Sequence, residues 1–331
     1  MTLLTVENLT LQFDTDEGRI TAVNDVSFSL EAGQVMGLVG ESGSGKSVTA
    51  KSLMQLNPSN AVYSPESKIL LDLDGETIDV LAIKRESDME VIRGGAVSMI
   101  FQEPMASFAP AISIGAQMVE QLLIHKDMNA KQAEKLSIEM LERVGISDAP
   151  QRFKQYAFEL SGGMRQRAMI AMALSTSPKL LIADEPTTAL DVTIQAQVID
   201  LMKDLVKEFN MGIIFITHDL GVIAQTADEV SVMYLGDIVE SGPVREVIRD
   251  AAHPYTRGLL DALPRLDNLD APLVPVPGDI PSPLERPSGC VFHTRCSVAE
   301  DRCSQSVPEM KKIGAHHSCA CFVEADKRGA A

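Results

Sequence analysis

The octapeptide Gly40-Glu41-Ser42-Gly43-Ser44-Gly45-Lys46-Ser47 constrains this chain more than any other segment. It satisfies G-x-x-x-x-G-K-[ST] at every fixed position. The short apolar run Val35–Val39 precedes it, and Ser47 to Leu56 follows with helical character. A strand, a glycine turn and a helix in that order make one unit of an α/β fold. The glycines let successive backbone N–H groups point inward, and the following helix directs its positive end to the same place. A polyphosphate fits that arrangement: Lys46 would bridge the β and γ phosphates, and Ser47 would hold Mg²⁺ through its hydroxyl. The candidate nucleotide contacts are Gly40, Ser42, Gly43, Ser44, Gly45, Lys46, Ser47 and Val48. A glycine turn with an incidental lysine is the bland alternative.

A second cluster follows another apolar run. Leu180-Leu181-Ile182-Ala183-Asp184-Glu185-Pro186 places two carboxylates at a strand's end, where open parallel sheets bind their ligands. Asp184 is placed to hold Mg²⁺, directly or through water, and Glu185 to orient and polarise an attacking water. Acidic residues also end strands as plain solvated turns, so this pair gains its meaning from Lys46. Ile213–Ile216 reads as a further buried strand, and parallel, central packing is expected for these runs. Ile194 to Phe209 between them has helical periodicity, which makes a βαβ crossover.

The stretch from about Ala109 to Met172 lacks strand patterning. Ile114–Ile124, Ala130–Val144 and Gly163–Leu174 read as helices, so a helical insert of about residues 109–172 is expected within the α/β domain. After about Asp250 the composition shifts, with seven prolines between Pro264 and Pro287. Such a segment is short of backbone donors and extended. A boundary near residue 255 is expected, giving a domain 1–255 and an extension 256–331. No internal repeat is visible, so the chain holds one nucleotide unit.

Composition narrows the partners. The net charge of −17 opposes a nucleic-acid backbone. Aromatics are 4% and Trp is absent, so the core must rely on aliphatic residues, Ala and the 16 Met. No apolar run approaches the ~20 residues that span a bilayer, and Met1–Thr5 lacks the regions of a signal peptide. Cytoplasmic residence is expected, with any membrane role exercised through a partner.

Phe158-Glu159-Leu160-Ser161-Gly162-Gly163-Met164-Arg165-Gln166-Arg167 resembles the signature motif of ABC ATPases, L-S-G-G-Q and its variants, and lies just before the acidic strand as in that family. Met164 stands where Gln is common, a departure familiar among peptide-importer subunits. Other segments follow the same order. Phe101-Gln102-Glu103-Pro104 looks like the Q-loop, with Gln102 near Mg²⁺ and the attacking water. Ala189-Leu190-Asp191 looks like the D-loop, which crosses the dimer interface. Thr217-His218-Asp219 looks like the switch, with His218 on the γ-phosphate. Phe13 aligns with the aromatic that stacks on adenine, or is a core Phe on an early strand. The resemblance implies an ABC-type P-loop ATPase domain with a helical subdomain, working as a head-to-tail dimer in which Ser161, Gly162 and Gly163 face the partner's nucleotide. Catalysis would rest on Glu185, His218 and Gln102, with ATP and Mg²⁺ bound and Ser47, Gln102 and Asp184 around the metal.

The resemblance continues past the ATPase. His253-Pro254-Tyr255-Thr256-Arg257 and Leu259-Leu260, then Pro281-Ser282-Pro283-Leu284, Pro287-Ser288-Gly289-Cys290, Phe292-His293 and Arg295-Cys296, look like the C-terminal extension of oligopeptide and dipeptide ABC subunits, a family that includes nickel importers. It implies ATP-driven import of peptides, two transmembrane permease subunits, a second homologous ATPase subunit as heterodimer partner, a solute-binding protein outside, and a peripheral place on the cytoplasmic face of the membrane. A nickel or other small-solute importer is the alternative. A non-transport ABC ATPase is opposed by the acidic charge and the extension, and a purely regulatory nucleotide module by the intact Glu185 and His218.

All five cysteines, Cys290, Cys296, Cys303, Cys319 and Cys321, fall in this last segment. A reducing compartment disfavours disulfides. Four thiolates would suit a [4Fe–4S] cluster or a structural Zn²⁺, and free thiols are the third possibility. The absence of tight C-x₂-C pairs favours the cluster over zinc. Cys290, Cys296, Cys303 and Cys321 match the family's tail, with Cys319 additional. A small, irregular, Cys-containing extension held by such a staple is therefore expected.

Overall fold

A computed structural model describes residues 1–103, 107–187, 192–263 and 275–329. The strands are β1 Thr2–Thr15, β2 Gly18–Glu31, β3 Val35–Val39, β4 Ala61–Tyr63, β5 Lys68–Leu73, β6 Glu76–Asp79, β7 Val97–Ile100, β8 Leu180–Asp184, β9 Gly212–Thr217, β10 Glu229–Tyr234, β11 Asp237–Pro243, β12 Lys311–Lys312 and β13 Ser318–Cys319. The helices are α1 Lys46–Ser52, α2 Glu86–Ile92, α3 Ile114–His125, α4 Ala130–Arg143, α5 Ala149–Arg152, α6 Gly162–Ser175, α7 Val192–Phe209, α8 Leu220–Thr226, α9 Val244–Arg249, α10 Pro254–Asp261, α11 Asp301–Gln305 and α12 Phe322–Arg328. The chain divides into two compact units. One comprises Met1–Leu4, Leu30–Gln34 and Leu71–Ile216; the other comprises Thr5–Ser29, Val35–Leu70 and Thr217–Ala331.

In the first unit β7, β8 and β9 run parallel and side by side, with Ile182 opposite Met99 on one flank and Ile214 on the other. Every residue of the three strands is buried, which is why they read as continuous apolar runs with no alternation. The chain passes from β8 to β9 through α7, the crossover that parallel neighbours require. The helical insert is built from α3, α4 and α6, which pack on one another. Their buried stripes include Met118 and Leu122, Met140 and Leu141, and Ala168 and Ala171. Asn129 starts α4 with a reciprocal capping box: its side chain accepts from Gln132 N–H, and the Gln132 side chain accepts from Asn129 N–H.

In the second unit β3 lies parallel to β10, β10 turns back antiparallel into β11, and β13 and β12 continue the sheet. The antiparallel segments of β1 and β4 pair with Leu11 opposite Tyr63. The helix after the glycine turn is shorter than its sequence suggests, since α1 ends at Ser52 and not near Leu56. Gln55 takes a left-handed conformation, φ 48°, and Leu56 N–H bonds back to the Lys51 carbonyl at 2.8 Å. That closure satisfies a terminal carbonyl and stops the helix.

The extension is more regular than its prolines suggest. Residues 264–274 lie outside the described set, and from residue 275 the first regular element is a single 3₁₀ turn, Pro283–Glu285. Beyond it α11, β12, β13 and α12 form. Cys319 on β13 pairs with Glu240 on β11, so the last segment adds two strands to the sheet that carries β3. Glu240 is fully buried and accepts from Ala252 N–H, His253 N–H and His317 Nε2, at 2.7, 2.9 and 2.7 Å. The chain tolerates this buried carboxylate because each neighbour brings a donor to it. The buried Glu324 of α12 takes both guanidinium nitrogens of Arg257 from α10, which docks the last helix.

Candidate active site

The phosphate loop belongs to the second unit and follows directly from β3. Gly45 stands at φ +103°, and a Cβ there would meet the Ala22 carbonyl at 2.6 Å; one at Gly40 would meet the Met233 carbonyl at 2.2 Å. Only glycine fits these two places. Thr49 N–H bonds to Gly45 O at 2.9 Å and starts α1. Lys46 is buried, and its Nζ donates to the carbonyls of Gly40 and Glu41, at 2.7 and 2.9 Å, and to Ser44 Oγ at 3.3 Å. The ammonium thus donates to acceptors of its own loop, where a bound phosphate would also reach it. Ser47 and Val48 occupy the first turn of α1 and are half-buried, while Ser42 and Gly43 are exposed at the tip.

The acidic turn belongs to the first unit. Asp184 closes β8 and is buried. Glu185 leaves the strand in the left-handed region, φ 47°, and its N–H bonds to Ile216 O at 2.9 Å. A non-glycine residue there carries about 1–2 kcal/mol of strain, and such strain concentrates at working sites. The turn aims the Glu185 carboxylate at Gln102, which follows β7; Gln102 Nε2 donates to Glu185 Oε2 at 3.0 Å. Ser161 caps α6, its Oγ accepting from Met164 N–H at 3.4 Å, and Ser161 and Gly162 are exposed. From the same helix the buried Gln166 donates to the Pro186 carbonyl, linking the signature segment to the acidic turn.

Other candidates fall as follows. Phe13 lies on β1 opposite Ala61 and is half-buried. His218 is exposed after β9, and the next residue, Asp219, caps α8 by accepting from Gly221 N–H at 2.7 Å. Ala189, Leu190, Asp191 and Pro104 lie outside the described residues. Phe13, the phosphate loop and His218 fall in one unit; Gln102, Asp184, Glu185 and the Ser161–Gly163 segment fall in the other.

Cys290, Cys296, Cys303 and Cys321 line one small apolar pocket together with His253 and Phe292. Burial, with Cys303, Cys321 and Cys296 close by, pushes the Cys290 thiol up to about 11. Cys319 packs instead with Ala252, Cys321 and Val323. Among the described residues no group of three or more His, Cys, Asp or Glu stands ready to hold a metal ion. An unaided metal site is thus not preformed, although the donor set of four thiols on one pocket is of the right kind.

Sequence reasoning missed the part played by Glu41 and the two residues, Tyr255 and Arg295, that hold it. Glu41 fills a variable position of the motif, yet its N–H donates to Tyr255 Oη at 2.8 Å, and its carboxylate takes Arg295 at 2.7 and 3.2 Å. The only signal in the sequence was that Tyr255 and Arg295 sit inside the two extension motifs.

Comparison with known proteins decides the family. Residues 23–188 match the ABC transporter family, and residues 239–303 match the C-terminal region of oligopeptide/dipeptide transporters. The chain belongs to the ABC transporter ATPases. The oligopeptide transport ATP-binding protein AppD of Bacillus subtilis is 47% identical over 97% of this ATPase and 97% of AppD. The oligopeptide transport ATP-binding protein OppD of Salmonella typhimurium is 46% identical, covering 97% and 93%. Among solved structures, the ATP-binding cassette MJ0796 bound to ADP and Pi matches with TM-score 0.64 at 23% identity, over 73% of this chain and 99% of that one. CbiO1 of Clostridium perfringens matches at 0.61 and 26%, over 75% and 91%. The ATPase therefore shares the ABC cassette fold and hydrolyses ATP. Among the described residues of this ABC ATPase, no helix is long and apolar enough to cross a membrane.

Proposed function

We propose that this ABC ATPase energises the import of di- and oligopeptides. The observation that carries the reading is the extension. It matches the C-terminal region of oligopeptide/dipeptide transporters, and the relatives similar over nearly the whole chain are named for oligopeptide transport. The chain would sit peripherally on the cytoplasmic face of the membrane. It would work with two permease subunits, a second ATPase subunit and an external solute-binding protein. The net charge of −17 argues against a nucleic-acid partner.

The chemistry follows from the residue types. Lys46 and the loop amides would hold the β and γ phosphates, Ser47, Gln102 and Asp184 would surround Mg²⁺, and Mg²⁺ would supply charge neutralisation of the phosphates when bound. Glu185 orients the attacking water and takes its proton. Gln102 holds the Glu185 carboxylate in place, and His218 serves the γ-phosphate. Ser161, Gly162 and Gly163 would present a capped helix start to a nucleotide on the partner ATPase, and the resemblance of Ala189-Leu190-Asp191 to the D-loop implies a role for Asp191 at the same interface. Phe13 stacks on the base. Nucleotide binding closes the ATPase pair, and hydrolysis releases it.

We further propose that Cys290, Cys296, Cys303 and Cys321 hold a [4Fe–4S] cluster as a structural staple, with zinc as the alternative. Support comes from the pocket that the four share and from the apolar character of its walls. Deleting the subunit tests the transport reading. Uptake of a short peptide by the assembled system should be lost and restored by the wild-type chain. A system that responds only to nickel or another non-peptide solute would overturn the peptide assignment and leave the ATPase intact.

A further inference from the structure

The carboxyl-terminal extension reaches into the phosphate loop itself. Glu41 is the second residue of the loop, and three of its groups are engaged at once. Its N–H donates to Tyr255 Oη at 2.8 Å. Its carboxylate accepts from Arg295 Nη1 at 2.7 Å and Nη2 at 3.2 Å. Its carbonyl accepts from Lys46 Nζ at 2.9 Å. The first two partners lie within residues 239–303, the match to the transporter C-terminal region, 214 and 254 positions downstream.

The grip is built, not incidental. The Arg295 side chain is 3% exposed, whereas that of Glu41 is 26% exposed. A guanidinium tolerates that burial only when its donors are used. Arg295 Nε donates to Pro277 O at 2.9 Å and Nη2 to Val276 O at 3.1 Å, so the fork is fixed before it meets Glu41. Its Cζ lies over the rings of Tyr234 and Phe292, 5.7 and 5.9 Å from their centroids. Tyr255 packs against both of those rings, at 4.8 and 5.4 Å. Burial and the Glu41 carboxylate keep the Tyr255 hydroxyl protonated far above neutrality. The bidentate geometry is the strong form of a carboxylate contact.

We propose that Arg295 and Tyr255 are positioning residues of the ATP site, which set the conformation of the phosphate loop through Glu41. They hold the peptide group whose carbonyl parks Lys46, and so fix the loop before phosphate arrives, which lowers the ordering cost of binding. The extension thereby serves the ATP site as well as any role it has in assembly. Arg295 also adjoins Cys296, and Phe292 lines the thiol pocket, so the grip is contiguous with that pocket.

This inference rests on reading residues 40–47 as the ATP-phosphate loop, which K46A tests separately. ATP affinity is measured by calorimetric titration of the full-length chain with Mg-ATP. E41Q, R295Q and Y255F should each weaken ATP about three- to tenfold, the loss of one hydrogen-bonded contact. R295K, which keeps the charge but lacks the fork, should recover part of the loss. The decisive variant is E41Q/R295Q. It should bind no more weakly than the poorer single variant, because the two residues act as one unit. Y255F keeps the ring packing and tests the grip even if R295Q fails to fold, with circular dichroism melts reporting folding. Unchanged affinity in Y255F and R295Q would overturn the proposal, as would losses that multiply in the double variant. Unchanged affinity in K46A would instead overturn the loop reading beneath it.

Discussion

The side-chain amide of Gln102 donates to the Glu185 carboxylate at 3.0 Å, bridging 83 positions of sequence. The bond joins the second residue after β7 to the residue after β8, two strands that are parallel neighbours. A carboxylate held this way is oriented by a neutral donor. E185Q preserves shape and removes the base, so turnover should fall about 10²–10⁴-fold while ATP still binds. Q102A removes only the orienting bond and should cost about tenfold in turnover. Steady-state ATPase assays on the assembled complex check both, and wild-type turnover in E185Q would remove Glu185 from its role.

Lys46 Nζ donates to two carbonyls of its own loop, and a bound phosphate would offer it a charge-assisted contact. K46A should forfeit about 1.5–3 kcal/mol, a ten- to hundredfold drop in affinity or more. An ATP titration of the full chain measures it, with intact circular dichroism as the control for folding.

The extension should make the fold acid-sensitive through His253. Burial is the main cause that lowers its pKa from 6.5 to about 4, with Arg257 adding to the effect and Glu240 and Glu324 opposing it. The folded state thus keeps it neutral, and its Nδ1 accepts from Tyr255 N–H at 3.1 Å. Between about pH 6.5 and pH 4 the unfolded chain binds the extra proton, so stability falls as pH falls through that window. The loss is on the order of 3 kcal/mol when complete. H253N keeps a capping acceptor but cannot titrate. Urea denaturation at pH 7 and pH 5 should show a larger loss for wild type than for H253N, and equal losses would remove His253 as the source.

Protein purified without oxygen should be brown and carry iron and sulfide at about four each per chain, the content of one cubane cluster. C296S should bleach it and loosen the extension more than the ATP site. Colourless protein with one zinc per chain would replace the cluster with zinc, and metal-free protein with an ordered extension would leave the thiols free.

Sequence alone made the local units legible. Val35–Val39, the glycine turn, the strands ending at Asp184 and Thr217, and the helices of the insert all appear within a residue or two of their sequence signals. Each is dictated by neighbours along the chain: apolar runs for buried strands, 3.6-residue stripes for helices, φ-permissive glycines for the turn. The end of α1 was not legible, because Gln55 accepts a left-handed conformation that glycine more commonly fills. The grip on Glu41 was also beyond reach. Nothing in a pattern of eight residues specifies a tyrosine and an arginine more than 200 positions away. The order within the extension was hidden for the same reason, since β13 exists only by pairing with β11 and β12.

The most direct test of the central claim joins the chemistry to the transport. The proposed importer is reconstituted in vesicles around this chain with the proposed permeases, second ATPase subunit and binding protein, and ATP-dependent accumulation of a labelled short peptide is followed with wild-type chain and with E185Q. The expected result is peptide accumulation that requires ATP, with uptake and hydrolysis falling together in E185Q. Undiminished peptide uptake by E185Q, or ATP hydrolysis at the wild-type rate with no peptide moved in either case, would contradict it.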